Sequence, residues 1–223
     1  MTFSIVARCD RTGQFGMAIS SSSPAVAARC AHVRAGVGAV ASQNITDPAL
    51  GPLVLDRLEA GLSADAALRA VTEGRPHVDY RQLLVVDREG RTAIHSGRQV
   101  LGIWGEASAT DCAAGGNLLA GELVPMAMVQ AFATSKGHLG ERLMLALEAG
   151  LRAGGEAGPV HSAGLKVADR LSWPLVDLRI DWAEGPIGML RQAWDTYAPQ
   201  MAAYVQRAED PTQAPSYGVP GDE

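Results

Sequence analysis

Strand-like runs in this chain arrive in closely spaced pairs, and helix-like runs arrive in pairs between them. Residues 2–8 and 15–20 flank a short turn at 10–14. A third strand is predicted over 36–42, where glycines imply close approach of the backbone to a neighbouring strand or a ligand. Asp47 and Pro48 read as N-cap and first helical position of a helix that ends at Gly61. Ser63 caps a second helix, stopped by Gly74. Residues 80–86 and 91–96 form a hairpin around the turn 87–90. Residues 97–121 are irregular and glycine-rich. Two helices follow over 122–134 and 138–153, the second with an apolar face of Leu139, Leu143, Ala146, Leu147 and Leu151. Strands over 162–167 and 175–180, a last helix over 186–207 and a Pro- and Gly-containing tail over 211–223 complete the chain.

Paired strands and paired helices are not the strict strand–helix alternation of a parallel sheet. They fit an α+β fold in which two antiparallel sheets pack face to face and helix pairs cover the outside, a four-layer αββα sandwich. The 223 residues, 47% of them hydrophobic and 19% charged, suffice for one such domain spanning 1–223.

The formal net charge of −5 and the absence of a basic tract argue against nucleic acid as a partner. The first residues do not read as a signal peptide, and no apolar run has the length of a membrane span. Cys9, Cys30 and Cys112 are odd in number and irregularly spaced, which fits reduced thiols and a cytoplasmic protein. The five histidines have no metal-ligand spacing, so neither metal nor other cofactor is expected. Ser20 to Ser23 lack the flanking glycines of a nucleophile elbow, and Gly36 and Gly38 lack the third glycine of a dinucleotide fingerprint.

Thr2 is the leading candidate for chemistry. Removal of the preceding methionine would leave a hydroxyl and a free amine on one residue, nucleophile and base together. Gln43 and Asn44 follow the glycine-rich strand, where they either hydrogen-bond a substrate amide or cap the turn into Asp47. Gly115-Gly-Asn117 offers backbone N–H groups and an amide to an oxyanion, or else a loop glycine pair and a helix N-cap. Asp177, Arg179 and Asp181 alternate along a strand, the pattern of a solvated face. His95 and Ser96 lie on a strand that could border the site. The last helix carries Ile187, Leu190, Trp194, Tyr197, Met201 and Tyr204, an apolar surface that predicts a homodimer or burial under the tail.

Several strings together resemble one family: Thr2-Phe-Ser-Ile-Val-Ala-Arg8, Ala35-Gly-Val-Gly-Ala-Val-Ala-Ser-Gln43, Asp47-Pro-Ala-Leu-Gly-Pro52, Tyr80-Arg-Gln-Leu83, Gly116-Asn-Leu-Leu-Ala-Gly121, Trp173-Pro-Leu-Val-Asp-Leu-Arg179 and Ala214-Pro-Ser-Tyr-Gly-Val-Pro-Gly-Asp222. They are similar to the bacterial family catalogued as domain of unknown function 1028, which is grouped with the N-terminal nucleophile (Ntn) hydrolases. The resemblance implies the four-layer sandwich and places Thr2 at the catalytic position. It implies a basic residue near the start of the third strand, where Arg34 stands roughly, with arginine in place of the commoner lysine. It also implies polar residues flanking the nucleophile at the end of the second strand, matched by Ser20 and Ser22. The function expected is hydrolysis of a small soluble amide or N-acylated metabolite, with Thr2, Arg34 and Asn117 catalytic and Ser20, Ser22, Gln43, Asn44 and Gly116 binding substrate. The alternative is a protein that kept the fold and lost the chemistry.

Overall fold

The two-residue period of the first hairpin fixes which side chains face which layer. In the computed structural model, which describes residues 1–221, β1 (Thr2–Arg8) and β2 (Phe15–Ser21) pair antiparallel, with Phe3 opposite Ser20 and Arg8 opposite Phe15. Phe3, Ile5 and Ala7 face one core, and Val6 faces another. A short helix, α1 (Val26–Cys30), leads to β3 (Ala31–Arg34) and β4 (Gly38–Asn44). Helices α2 (Leu50–Glu59) and α3 (Ala64–Thr72) follow, then β5 (Arg81–Asp87) and β6 (Thr92–Ser96). Next come β7 (Gly105–Ala109) and β8 (Cys112–Asn117), then helices α4 (Val124–Thr134) and α5 (Leu139–Arg152). Strands β9 (Ser162–Ala168) and β10 (Val176–Ile180) and helices α6 (Pro186–Tyr197) and α7 (Met201–Glu209) end the fold.

The strands form two antiparallel sheets. One has the order β10-β9-β2-β1-β8-β7, the other β3-β4-β5-β6. Three apolar clusters hold the molecule together. Val6, Phe15, Met17, Ile19, Leu84, Val86 and Ala113 join the two sheets. Val40, Leu83 and Val85 of the smaller sheet meet Leu50, Val54, Leu58 and Leu68 of α2 and α3. Phe3, Ile5, Leu165 and Val176 of the larger sheet meet Met128, Phe132, Leu143, Leu147 and Trp194 of α4, α5 and α6.

Local signals account for many boundaries. Ser63 caps α3, its hydroxyl accepting from the Ala66 N–H at 3.3 Å. Asp47 instead holds a turn, accepting from the Ala49 N–H at 3.1 Å, and α2 starts two residues beyond Pro48. The last helix is two, because Pro199 has no N–H to give and a 3-10 turn over Ala198–Gln200 breaks the run.

Two segments differ from expectation. Residues 97–121 contain the hairpin β7–β8, and the small residues before Arg34 form α1 and β3. Alanine and glycine carry no strand signal, but here they suit contact: a Cβ on Gly115 would lie 2.9 Å from the Leu84 side chain, and one on Gly116 would lie 2.9 Å from the Thr2 carbonyl oxygen. Much of the apolar face of the last helices is met within the chain, where Tyr197, Met201 and Val205 pack on the core around Trp194, while Tyr204 stays exposed. The tail folds back on α7, with the Arg207 guanidinium 3.7 Å from the Tyr217 ring centre. Asp222, the end of the last family-like string, lies outside the described residues. Among the described residues no helix is long and apolar enough to cross a membrane.

Candidate active site

Alternation along each strand puts one set of residues between the sheets, and that set changes character from end to end. On β2, Phe15, Met17 and Ile19 face the inter-sheet core, so Ser21 is next on the same face. On β1, Val6 faces that core, and Ser4 and Thr2 continue the face. Gln43 continues it from Ala39 and Ala41 on β4, Gln82 precedes Leu84 on β5, and Asn117 follows Ala113 and Gly115 on β8. One end of the space is therefore apolar and the other polar.

Buried amides at the polar end are partnered. The Ser4 hydroxyl donates to Gln43 Oε1 at 2.6 Å. Gln43 Nε2 donates to Gln82 Oε1 at 2.9 Å and to the Gly115 carbonyl at 3.2 Å. Asn117 Nδ2 donates to Gln82 Oε1 at 3.3 Å, and Gln82 Nε2 donates to the Ser96 hydroxyl at 3.0 Å. Ser96 in turn donates to Glu106 at 2.9 Å. A network with every member satisfied is rigid, and it ties β1 and β8 of one sheet to β4, β5 and β6 of the other.

Thr2 stands at the mouth of this network. It is 6% exposed, pairs with Asn117 across β1 and β8, and is preceded by an exposed Met1. Its Oγ1 lies 3.4 Å from Ser21 Oγ and donates to the Met1 carbonyl. Ser21 Oγ donates to the same carbonyl at 2.5 Å and accepts from the Ser23 N–H at 3.0 Å. The Ser21 carbonyl accepts from the His161 N–H at 2.8 Å, and Ser162 Oγ holds the Ser23 carbonyl at 2.6 Å, so β9 fixes the turn after β2.

Glu156 closes the other side. Its carboxylate, 5% exposed, accepts from the Ser22 N–H at 3.1 and 3.2 Å. Burial pushes its carboxyl up to about 7, against the pull of the nearby chain-terminal ammonium and of the Ser22 bond. Cys30, 3.5 Å from the Thr46 hydroxyl, is held as a thiol by burial, which raises its pKa.

Of the residues singled out in the sequence, the structure brings Thr2, Gln43 and Asn117 to one end of the inter-sheet space. Asn117 and Gly116 lie in a strand flanked by β1 and β7, not in a loop, and the Asn117 amide is bonded to Gln82. Ser20 faces the helices, donating to the Ser162 carbonyl at 2.9 Å, and Ser22 contributes its backbone N–H. Asn44 joins loops, donating to the Tyr80 carbonyl at 2.7 Å and accepting from the Leu101 N–H at 3.3 Å. Arg34 is not brought to Thr2. It pairs with Asp56 and Glu59 of α2 at 2.9 and 2.7 Å and lies opposite Gly38, the far end of β4 from Gln43. Five residues of strand separate the two ends, roughly 17 Å. His95 bonds the Val78 carbonyl at 3.2 Å. Sequence reasoning missed Ser4, Ser21, Gln82 and Glu156. Counting by twos from Phe15 selects Ser21; nothing local marks Glu156, which sits in a loop. Among the described residues, no group of three or more His, Cys, Asp or Glu side chains could hold a metal ion.

The model of a family of unknown function, DUF1028, matches residues 2–190, and the chain belongs to that family. A crystal structure of a DUF1028 protein from Silicibacter pomeroyi is similar, with 31% identity, TM-score 0.85, and coverage of 92% of this chain and 90% of that one. The Anbu ancestral beta-subunit from Yersinia bercovieri aligns over 91% of this chain and 97% of its own at 12% identity and a TM-score of 0.40. No curated protein matches.

Proposed function

We propose that this chain is a four-layer αββα sandwich of the Ntn kind and works as an N-terminal-threonine amide hydrolase on a small soluble amide or N-acylated metabolite. The observation that carries the reading is the convergence of the Thr2 and Ser21 hydroxyls on the carbonyl that acylates the Thr2 nitrogen. Cutting the bond before Thr2 frees its amine beside its own hydroxyl. An α-amine titrates at about 7.7–8.0, so part of it is a neutral base at cellular pH. It takes the proton from Oγ1 as Oγ1 attacks the substrate carbonyl. The Ser21 hydroxyl, already aimed at a carbonyl oxygen, donates to the oxyanion. The ammonium then returns the proton to the leaving amine, and water hydrolyses the remaining ester by the same relay. Gln43, Gln82 and Asn117 form a bonded floor that keeps β1 and β8 in register.

The test is a screen of small amides and N-acyl amino acids with protein whose chain starts at Thr2. Any hit is repeated with Thr2→Ala and Thr2→Ser. Thr2→Ala is expected to lower turnover by about three orders of magnitude or more with the fold unchanged, and Thr2→Ser to keep part of it. Turnover at the wild-type rate by Thr2→Ala rules out Thr2 as nucleophile. Persistence of Met1 on the native protein favours the catalytically silent reading.

A further inference from the structure

The turn of the first hairpin meets the loop between α4 and α5, and cations gather where they touch. A cavity of about 440 Å³ is lined there by Asp10 and Arg11 of the turn, by Ser135, Lys136 and Gly137 of the loop, and by Arg142 of α5. Arg11 Nη2 donates to the Gly137 carbonyl at 3.4 Å, which joins the two segments. The Arg142 guanidinium lies 4.0 Å from the centre of the Phe132 ring, and its Nη2 donates to the Phe132 carbonyl at 3.3 Å. Among the described residues, the side chains of Arg11, Lys136 and Arg142 have no further acceptor and no ion pair, not even with Asp10. Arg191, which also packs against α5, is by contrast bonded to Glu141, Glu148 and Asp195. Deeper in the same corner, Gln14 closes the turn, its carbonyl accepting from the Cys9 N–H at 2.8 Å, and is 6% exposed. His138 caps α5, its Nδ1 accepting from the Gly140 N–H at 3.1 Å, which leaves the proton of the neutral ring on Nε2. Among the described residues, the buried side-chain polar atoms without a hydrogen-bond partner are Gln14 Oε1, His138 Nε2 and Arg142 Nε, all from this corner.

We propose that this corner is a binding site for a phosphate dianion, either free or carried by a small metabolite. Three positive charges against the one negative charge of Asp10 leave the lining with a net charge of two, which a dianion neutralises. Two guanidinium forks match the oxygen spacing of a phosphate, and the Lys136 ammonium adds a point charge from the loop. Arg142 is half-buried, so it is less well hydrated than a surface cation and gains more from an anion brought to it. Buried polar groups are normally satisfied, and a corner that holds two unpartnered donors, His138 Nε2 and Arg142 Nε, has need of acceptors. The cavity is larger than a phosphate group and leaves room for the organic part of a small ester. The site is independent of the hydrolase reading: the turn follows the Arg8 end of β1, six strand steps or about 20 Å from Thr2.

Calorimetry on the full chain at fixed ionic strength tests the site with three probes: inorganic phosphate, glycerol 3-phosphate, and glycerol as the uncharged control. At least one phosphate should bind with a Kd of about 1 mM or tighter, and glycerol should not bind. Tighter binding of the ester assigns the site to a phosphorylated metabolite, and tighter binding of inorganic phosphate assigns it to the free ion; either order upholds the site. Arg11→Ala combined with Lys136→Ala removes two exposed side chains and should weaken binding by about tenfold or more with the melting temperature little changed. Arg142→Lys, which keeps the charge and loses the fork, should weaken it by about threefold or more. Arg57→Ala, at an exposed arginine of α2 outside this cavity, should leave it unchanged. Failure of both phosphates to bind at about 10 mM overturns the proposal. So does binding that survives the Arg11 and Lys136 double substitution in a folded protein, or binding that Arg57→Ala weakens as much, which would mark a general response to surface charge.

Discussion

At one end of the space between the sheets, Val6, Met17, Leu84, Val86 and Ala113 pack side chain against side chain. At the other end, on the same strands and the same faces, Thr2, Ser21, Gln82 and Asn117 take the equivalent places. Both ends are buried, but they are held by different forces. The apolar end gains from burial and close packing, roughly in proportion to area. The polar end gains little net energy per hydrogen bond, yet losing one partner leaves a buried group unpaired. One scaffold thus provides stability at one end and a fixed arrangement of hydroxyls and amides at the other. The switch takes only two residues along each strand.

The contrast can be broken from either side. Leu84→Ala at the apolar end should cost about 2–5 kcal/mol, the range for a cavity in a packed core, while the protein that remains folded keeps the turnover of the parent. Urea unfolding beside a turnover assay reads both, and a fall in turnover without a fall in stability would deny that the two ends are separable. At the polar end, Gln82→Leu strands the amides of Gln43 and Asn117 and should cost about 1–3 kcal/mol. Adding Gln43→Leu should then cost less than it does alone, because the two amides share a bond. Strict additivity in that double-mutant cycle would show that the network is not coupled. Arg34→Ala, at the end opposite Thr2 but outside the apolar cluster, breaks half-exposed ion pairs to Asp56 and Glu59 and should cost under about 1 kcal/mol. Its turnover should match the parent; a large loss would restore Arg34 to the chemistry and would require β3 to lie differently against β1.

The same contrast explains what could be read from residues alone. The first hairpin, the Ser63 cap and the helices around Leu143 carry strong local patterns, and they stand where those patterns place them. The hairpin β7–β8 was illegible because Cys112-Ala-Ala-Gly-Gly-Asn117 has no β-branched or aromatic residue. Its strand character comes from being wedged between β1 and β7 and against Leu84. In the site, Thr2 and Gln43 were visible as polar residues near strand ends, and Asn117 as an amide after a glycine pair, though in a loop and not in a strand. The choice of Ser20 over Ser21 turned on a single step of register, and one step reverses the face. Arg34 looked close to Thr2 because β3 was not seen as a strand of its own, and that strand carries it to the opposite end. Glu156 depends on a loop crossing back beneath β2, a long-range event that no window of neighbouring residues encodes.

The order of strands also sets a sequence in time. β1 precedes every other described strand, yet it lies inside its sheet, with β2 on one side and β8 on the other. Its partner β8 begins at Cys112 and the next neighbour of β2, β9, ends only at Ala168. At a synthesis rate of roughly 5–20 residues per second, β1 waits on the order of ten seconds or more for these strands to be made. Through that interval the bond before Thr2 is not yet enclosed by β8 and β9. Once the strands close around it, Thr2 retreats to 6% exposure and its carbonyl neighbour is gripped by two hydroxyls. On the proposed reading, cleavage before Thr2 competes with closure of the sheet around it.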